Sequence, residues 1–198
     1  MRILGVNCSP RKGKTTMRAL EACLSAAASA LSGIETEILE LGGLKIEGCR
    51  ACDACKKGPV CRVEDDLAAI IARLGAPEVK AVVVGTPVYL GTMTSQCKAF
   101  LDRSVVLRRN GFLLSNKIGG VLAVGGVRNG GQELTIQAVQ AAMLCHDMTI
   151  VGDGMRTAHF GGALWSGVPG GMDADTEGLT TAKNLGKRVA MLMGMLWD

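Results

Sequence analysis

The chain has 198 residues, of which 48% are hydrophobic and 3% aromatic, and its formal net charge is +4. This length and apolar content exclude a disordered or fibrous chain and predict one domain spanning residues 1–198. The weak, dispersed charge gives no indication of nucleic acid binding. No signal peptide is recognisable at the start, and Pro, Gly, Ser and Thr interrupt the longest uncharged runs. The sequence therefore predicts a cytoplasmic protein without a membrane span.

Hydrophobic periodicity predicts strands and helices in alternation. Apolar and β-branched runs predict five strands, at residues 2–7, 35–41, 81–84, 118–124 and 148–151. Helical spacing predicts five helices, at residues 17–31, 67–74, 93–102, 133–144 and 176–193. This alternation is typical of a doubly wound α/β fold with a five-stranded parallel sheet and helices on both faces. Three long connections remain, at residues 42–63, 104–117 and 152–175, and connections of this length are usually functional or interfacial.

A polar loop, Ser9 to Thr16, lies between the first predicted strand and the first helix. Backbone N–H groups at such a helix start favour anions. Hydroxyl and cationic side chains add to them, at Ser9, Arg11, Lys14, Thr15 and Thr16. Cys8 stands where a nucleotide-binding Walker A loop has its first glycine, and no G-x-G-x-x-G is present. The loop is therefore a candidate phosphate site, and a plain polar surface turn is the alternative.

Two further loops follow the third and fourth predicted strands. They comprise Thr86 to Met93 and Gly125 to Glu133. Ligands of open α/β sheets bind at the carboxyl ends of the strands, and glycine allows backbone to approach a planar group closely. These loops are candidates for holding a flat ring.

Three motifs in this order resemble the NADPH-dependent FMN reductase superfamily, and within it the iron–sulfur flavoprotein group. They are Ser9-Pro10-Arg11 with Thr15, the run from Thr86 to Arg103, and the run from Gly125 to Glu133. The resemblance implies a flavodoxin-like fold of strand order 2-1-3-4-5, bound FMN, NAD(P)H as a candidate donor, and a homo-oligomer, either dimer or tetramer. Lys14 is a departure, since the family usually has Asn there.

The same resemblance assigns the flavin contacts residue by residue. It implies that the phosphate is held by Ser9, Arg11, Lys14, Thr15 and Thr16. It implies that the ribityl chain and ring are lined by Pro87, Val88, Tyr89 and Gly91. The edge of the isoalloxazine is then contacted by Gly125, Gly126 and Arg128.

Four of the eight cysteines are concentrated in the first long connection, as Cys49, Cys52, Cys55 and Cys61. Two residues between successive cysteines favour a [4Fe–4S] cluster, because the thiolates can converge on one cubane. Zinc and free or oxidised thiols are the alternatives. Four cations lie nearby in sequence, at Arg50, Lys56, Lys57 and Arg62. One interpretation is that they raise the cluster potential and steer an acidic redox partner, and the alternative is a solvated basic loop. The other cysteines, Cys8, Cys23, Cys97 and Cys145, are interpreted as structural.

The leading hypothesis is an FMN-dependent oxidoreductase that passes electrons between a donor, FMN and the cluster. A catalytic acid or base is not required, and none is predicted. One alternative is a cluster-free NAD(P)H-dependent FMN or quinone reductase, and another is a flavin- or zinc-binding regulatory module without turnover. A ferredoxin-like protein is a candidate redox partner, and neither nucleic acid nor membrane is expected. Because the cysteine connection follows the second strand, the cluster is expected at the same sheet edge as the flavin.

Overall fold

The computed structural model describes residues 1–197 as a parallel sheet between two layers of helices. The strands are β1 (Arg2–Asn7), β2 (Glu35–Glu40), β3 (Val79–Pro87), β4 (Ile118–Gly125), β5 (Thr149–Ile150) and β6 (Gly162–Trp165). The helices are α1 (Thr15–Ala30), α2 (Leu67–Leu74), α3 (Ser95–Arg103), α4 (Val105–Arg109), α5 (Gln132–Leu144) and α6 (Thr176–Trp197).

The strand order β2-β1-β3-β4-β5 confirms the predicted topology. β3 and β4 are central and almost wholly buried, which explains why their sequences are apolar without alternation. Because β1, β3 and β4 are neighbours in a parallel sheet, the loops that leave their carboxyl ends lie side by side.

The predicted count of five strands is wrong, because a sixth strand lies within the predicted loop 152–175. β5 pairs only with Ile118 and Gly119 of β4, whereas β6 pairs with the stretch from Leu122 to Gly125. The two short strands thus lie one after the other along the same side of β4, and together they fill the fifth position of the sheet. The other long connections also contain structure: α4 in 104–117, and a 3-10 turn, Ala54–Lys56, in 42–63.

The two edges of the sheet are protected by side chains. At β6, the N–H of Ala163 donates to Thr181 Oγ1 at 3.0 Å, and the N–H of Trp165 donates to Asp175 Oδ2 at 2.6 Å. At β2, Glu35 pairs with Arg2 at 2.8 Å, and Glu37 pairs with an arginine of α2.

The core is divided by the sheet into two clusters. One packs β-strand residues against α2, α3 and α5, and includes Phe100 and Met93. The other packs the opposite face against α1 and α6, and includes Leu20 and Leu185. Cys23 and Cys97 are fully buried, as predicted. No helix within residues 1–197 has both the length and the apolar character to cross a membrane.

Candidate functional site

The loop from Ser9 to Thr16 presents an uncapped helix start. α1 begins at Thr15, and no side chain bonds to its first N–H groups. Thr16 is buried beneath the loop, whereas Arg11 and Lys14 extend into solvent. Because the N–H groups of a first helical turn lack partners within the helix, they are available to an anion. This arrangement fits a phosphate group.

Neighbouring segments hold the loop in shape. The Ser9 hydroxyl donates to the Arg11 carbonyl and accepts from the Arg11 N–H, each at 3.2 Å. Glu40 Oε1, at the end of β2, accepts from Gly13 N–H at 2.9 Å and from Asn7 Nδ2 at 3.1 Å. A Cβ at Gly42 would lie 2.9 Å from the Ser9 carbonyl oxygen, so only glycine lets the following chain pass. Asn7, Glu40 and Gly42 were not identified from the sequence as residues that support the loop.

The loop after β3 ends in a tight turn. Tyr89 and Thr92 exchange backbone hydrogen bonds at 2.8 and 3.2 Å. Leu90 and Gly91 between them both have positive φ, 47° and 77°, as a type I′ turn requires. Leu90 is fully exposed although leucine disfavours this backbone region. The turn therefore projects an apolar tip, with Tyr89 beside it, from the edge of the sheet.

The turn is tied to the phosphate loop through the start of α3. Thr94 Oγ1 donates to the Cys8 carbonyl at 2.8 Å, and Gln96 Nε2 donates to the same oxygen at 3.1 Å. Thr94 also caps α3 by accepting from Cys97 N–H. Val88 N–H bonds to the Val124 carbonyl at 3.0 Å, which connects the turn to β4.

The loop after β4 packs against that turn. A Cβ at Gly131 would lie 3.1 Å from Gly91 Cα, whereas a Cβ at Gly126 would meet nothing within 4 Å. Gln132 Nε2 closes the loop by donating to the Val127 carbonyl at 2.8 Å. The open space over Gly126 fits the approach of a planar ring, whereas Gln132 fills the space beside Gly125.

Arg128 is oriented differently from the other predicted flavin residues. Its guanidinium lies 5.0 Å from the centre of the Trp165 ring and 3.9 Å from Glu177 Oε2. The Trp165 indole in turn donates to the Gly126 carbonyl at 3.2 Å. Arg128 thus braces the loop against β6 and α6 in this structure.

The four cysteines of the first long connection surround one cavity. Cys49, Cys52, Cys55 and Cys61 line a space of about 340 Å³, whose other wall is the end of α3 and the start of α4. All four thiols are free. Within residues 1–197, no three His, Cys, Asp or Glu side chains converge closely enough to bind a single metal ion. Four thiols around a shared space fit a group larger than one ion.

Two arginines from the opposite wall reach this cavity. Arg109 Nη1 lies 3.0 Å from Cys55 Sγ and 3.0 Å from Asp53 Oδ1. Arg103 is buried and forms an ion pair with Asp65, and both side chains are wholly inaccessible to solvent. Its burial lowers the pKa of Arg103, but Asp65 and Cys61 more than offset this and leave the pKa raised. A donor aimed at sulfur, as Arg109 Nη1 is at Cys55, fits an anionic thiolate site.

The cations predicted from sequence proximity are in part neutralised. Arg50 pairs with Glu47, and Lys56 Nζ lies 2.9 Å from Asp53 Oδ2. Arg103 and Arg109 were missed because they follow the cysteines by more than 40 residues and approach only through folding.

α3 connects the two candidate sites. Thr94, at its start, bonds to the phosphate loop, and Arg103, at its end, lines the cysteine cavity. A helix of nine residues is about 14 Å long. The two candidate sites therefore lie at opposite ends of α3.

The sequence model of the family described as NADPH-dependent FMN reductase matches residues 1–162. The chain belongs to this family. An iron–sulfur flavoprotein of Methanocaldococcus jannaschii is 42% identical over 197 residues, covering 99% of both chains. An iron–sulfur flavoprotein of Methanosarcina thermophila is 37% identical, covering 99% of this chain and 97% of its own.

A solved WrbA-like flavodoxin from Agrobacterium tumefaciens has the same fold. Its TM-score is 0.68 at 19% identity, with 98% of each chain covered. Because the 198-residue chain belongs to the FMN reductase family, it is a flavin-dependent oxidoreductase that uses FMN.

Arg11→Ala is expected to weaken binding of FMN roughly tenfold, since it removes a charge-assisted contact to the phosphate. Binding of riboflavin, which lacks the phosphate, should change little. Isothermal titration of the flavin-free protein with each ligand measures both constants. Arg18→Ala is the matched control, because Arg18 lies on α1 but pairs with Asp173. Equal losses for both flavins would contradict the assignment of this loop.

Proposed function

We propose that this FMN-dependent oxidoreductase exchanges electrons between its flavin and a [4Fe–4S] cluster bound by Cys49, Cys52, Cys55 and Cys61. The observation that carries the proposal is that these four thiols line one cavity, faced by two arginines. Four cysteine thiolates are the usual ligands of such a cluster. The names of the relatives, iron–sulfur flavoproteins, support the same assignment.

FMN supplies hydride and single-electron chemistry when bound. The chain's own residues hold and orient it. We assign its phosphate to the loop from Ser9 to Thr16 and to the cations Arg11 and Lys14. The turn Tyr89–Thr92 and the glycines Gly125 and Gly126 are assigned to the ribityl chain and ring. Because the reaction proposed here is electron transfer through the flavin, no side chain is assigned as a catalytic acid or base.

Anaerobic purification followed by iron, sulfide and flavin analysis tests the proposal. About four irons and four sulfides per chain, together with one FMN, are expected for a cubane. Flavin without iron would favour a cluster-free NAD(P)H-dependent reductase. One zinc per chain without turnover of any donor would favour a regulatory module.

We further propose that the protein acts as a homo-oligomer in which a neighbouring chain covers the flavin. Three apolar side chains around the flavin loops are exposed, at Tyr89, Leu90 and Val127. Exposed apolar groups clustered at a binding edge favour burial by a partner surface. NAD(P)H and a ferredoxin-like protein are the proposed external partners.

Sedimentation velocity of the holo-protein is expected to show a dimer or a tetramer. Leu90→Asp should shift this equilibrium toward monomer, because it places a charge on the projecting turn. Met195→Asp is the control, since Met195 is also an exposed apolar residue but lies near the end of α6. A monomer that reduced its cluster through FMN at an undiminished, concentration-independent rate would refute the proposal that the flavin needs a neighbouring chain.

A further inference from the structure

We propose that Arg103 is a positioning residue whose Nε–H donates to sulfur at the Cys61 corner of the cysteine cavity and raises the reduction potential of the bound cluster. The inference rests on the cluster assigned under the proposed function. It concerns a residue of α3, outside the cysteine segment itself.

Both Nη nitrogens of the Arg103 side chain are held by protein groups. Nη1 bonds to Asp65 and, at 3.1 Å, to the Glu47 carbonyl, and Nη2 bonds to the Val63 carbonyl at 3.2 Å. These three acceptors flank the cysteine segment on both sides. The guanidinium therefore has one orientation, and the ends of the segment are attached to it.

The remaining donor, Nε, has no hydrogen-bond partner in the structure although it is buried. Such an atom is costly, since an unpaired buried donor loses its bonds to water without replacement. Arg103 lines the same cavity as the four thiols. We assign a sulfur at the Cys61 corner as the acceptor for this donor, because Arg103 and Cys61 line the same cavity and no protein acceptor reaches Nε.

A buried cation with a fixed donor stabilises the reduced cluster more than the oxidised cluster. Adding an electron to a cluster of four thiolates increases its negative charge, and hydrogen bonds to the sulfurs stabilise that charge. The effect is large where water is excluded, because the local dielectric is low. Both arginines pair with a carboxylate, but the Arg103 side chain is wholly buried and meets this condition, whereas the Arg109 side chain is partly exposed.

Arg103→Lys separates this role from simple structural support. Lysine keeps the positive charge beside Asp65 but lacks the Nε donor and the rigid fork. Arg108→Lys is the matched control, because Arg108 lies on the same short stretch but stacks on Phe112 at 5.4 Å and does not line the cavity.

The experiment is a redox titration of the holo-protein, monitored by the electron paramagnetic resonance of the reduced cluster, with dithionite as reductant. At unchanged iron content, Arg103→Lys is expected to lower the midpoint potential by about 59 mV, which is a tenfold change for a one-electron couple. Arg108→Lys should leave it unchanged. Equal midpoints in all three proteins would overturn the inference while leaving the cluster in place.

A second measurement needs only the wild-type protein and covers the case in which Arg103→Lys does not fold. Holo-protein labelled with ¹⁵N at arginine Nε should show a nitrogen coupling to the reduced cluster in pulsed electron paramagnetic resonance. Absence of any coupling would overturn the inference. Absence of iron from the wild-type protein would instead overturn the proposed function, and this inference with it.

Discussion

Asp65→Ala is expected to lower the free energy of unfolding by about 3–5 kcal/mol, because it leaves the Arg103 guanidinium buried without its counter-ion. The Asp65 carboxylate also accepts from the N–H of Glu47 at 2.8 Å and of Leu67 at 3.1 Å, so the variant loses these two hydrogen bonds as well. Urea unfolding at pH 7, followed by circular dichroism, measures the change.

Asp66→Ala is the matched control for this prediction. Asp66 is adjacent and accepts from the Lys45 N–H at 2.8 Å, but it forms no ion pair within the described residues 1–197. Its loss should cost about 1 kcal/mol. Similar costs for the two variants would show that the buried pair has no special role in stability.

The ion pair between Asp65 and Arg103 also predicts that the free energy of unfolding depends on pH in the acid range. Burial alone would raise the pKa of Asp65, but hydrogen bonds from Arg103, Glu47 and Leu67 lower it below its ordinary value. A folded-state pKa below the unfolded one, about 3.9, stabilises the protein fully above that pH. The contribution is lost as the pH falls through the folded pKa. The difference between wild type and Asp65→Ala should therefore shrink below about pH 4.

Replacing any one of Cys49, Cys52, Cys55 or Cys61 by Ser is expected to remove most of the bound iron. Each thiol lines the same cavity, and a cubane that lacks one thiolate ligand is poorly held. FMN content should remain near one per chain, because the flavin is assigned to other loops. Iron and flavin assays on anaerobically purified variants provide the measurement.

Cys145→Ser is the control for the cysteine series. Cys145 is free and exposed, but it follows α5 and does not line the cavity. It should retain full iron. Four variants that all kept their iron would place the cluster elsewhere or show that there is none.

The positions of most strands and helices could be predicted because their signals are local, whereas the strand order 2-1-3-4-5 came from the resemblance to a known family. The β-branched run of β3 and the apolar spacing of α6 are each visible within one segment of sequence. β6 could not be predicted in this way, since Gly161 and Gly162 interrupt its short apolar run. Its N–H groups are satisfied by Thr181 and Asp175, and those contacts exist only after α6 has packed.

The residues of the candidate site also fall into two groups, those that local motifs reveal and those that only the folded structure reveals. The phosphate loop and the spacing of the cysteines are contiguous motifs, and their residue types alone indicate the chemistry. Arg103, Arg109 and Asp65 act through tertiary contacts. Proximity in sequence pointed instead to Arg50 and Lys56, which the folded chain pairs with carboxylates.

The protected sheet edges limit how copies of this protein can associate. A strand added beside β6 would have to displace the side chains of Thr181 and Asp175 from the outward N–H groups. A strand added beside β2 would meet the charged side chains of Glu35 and Glu37 and of the arginines that pair with them. Edge-to-edge pairing into a continuous intermolecular sheet is thereby disfavoured at both ends, so contacts between copies must use helices and loops. The fold can expose an apolar turn for assembly without a corresponding tendency to form β-aggregates.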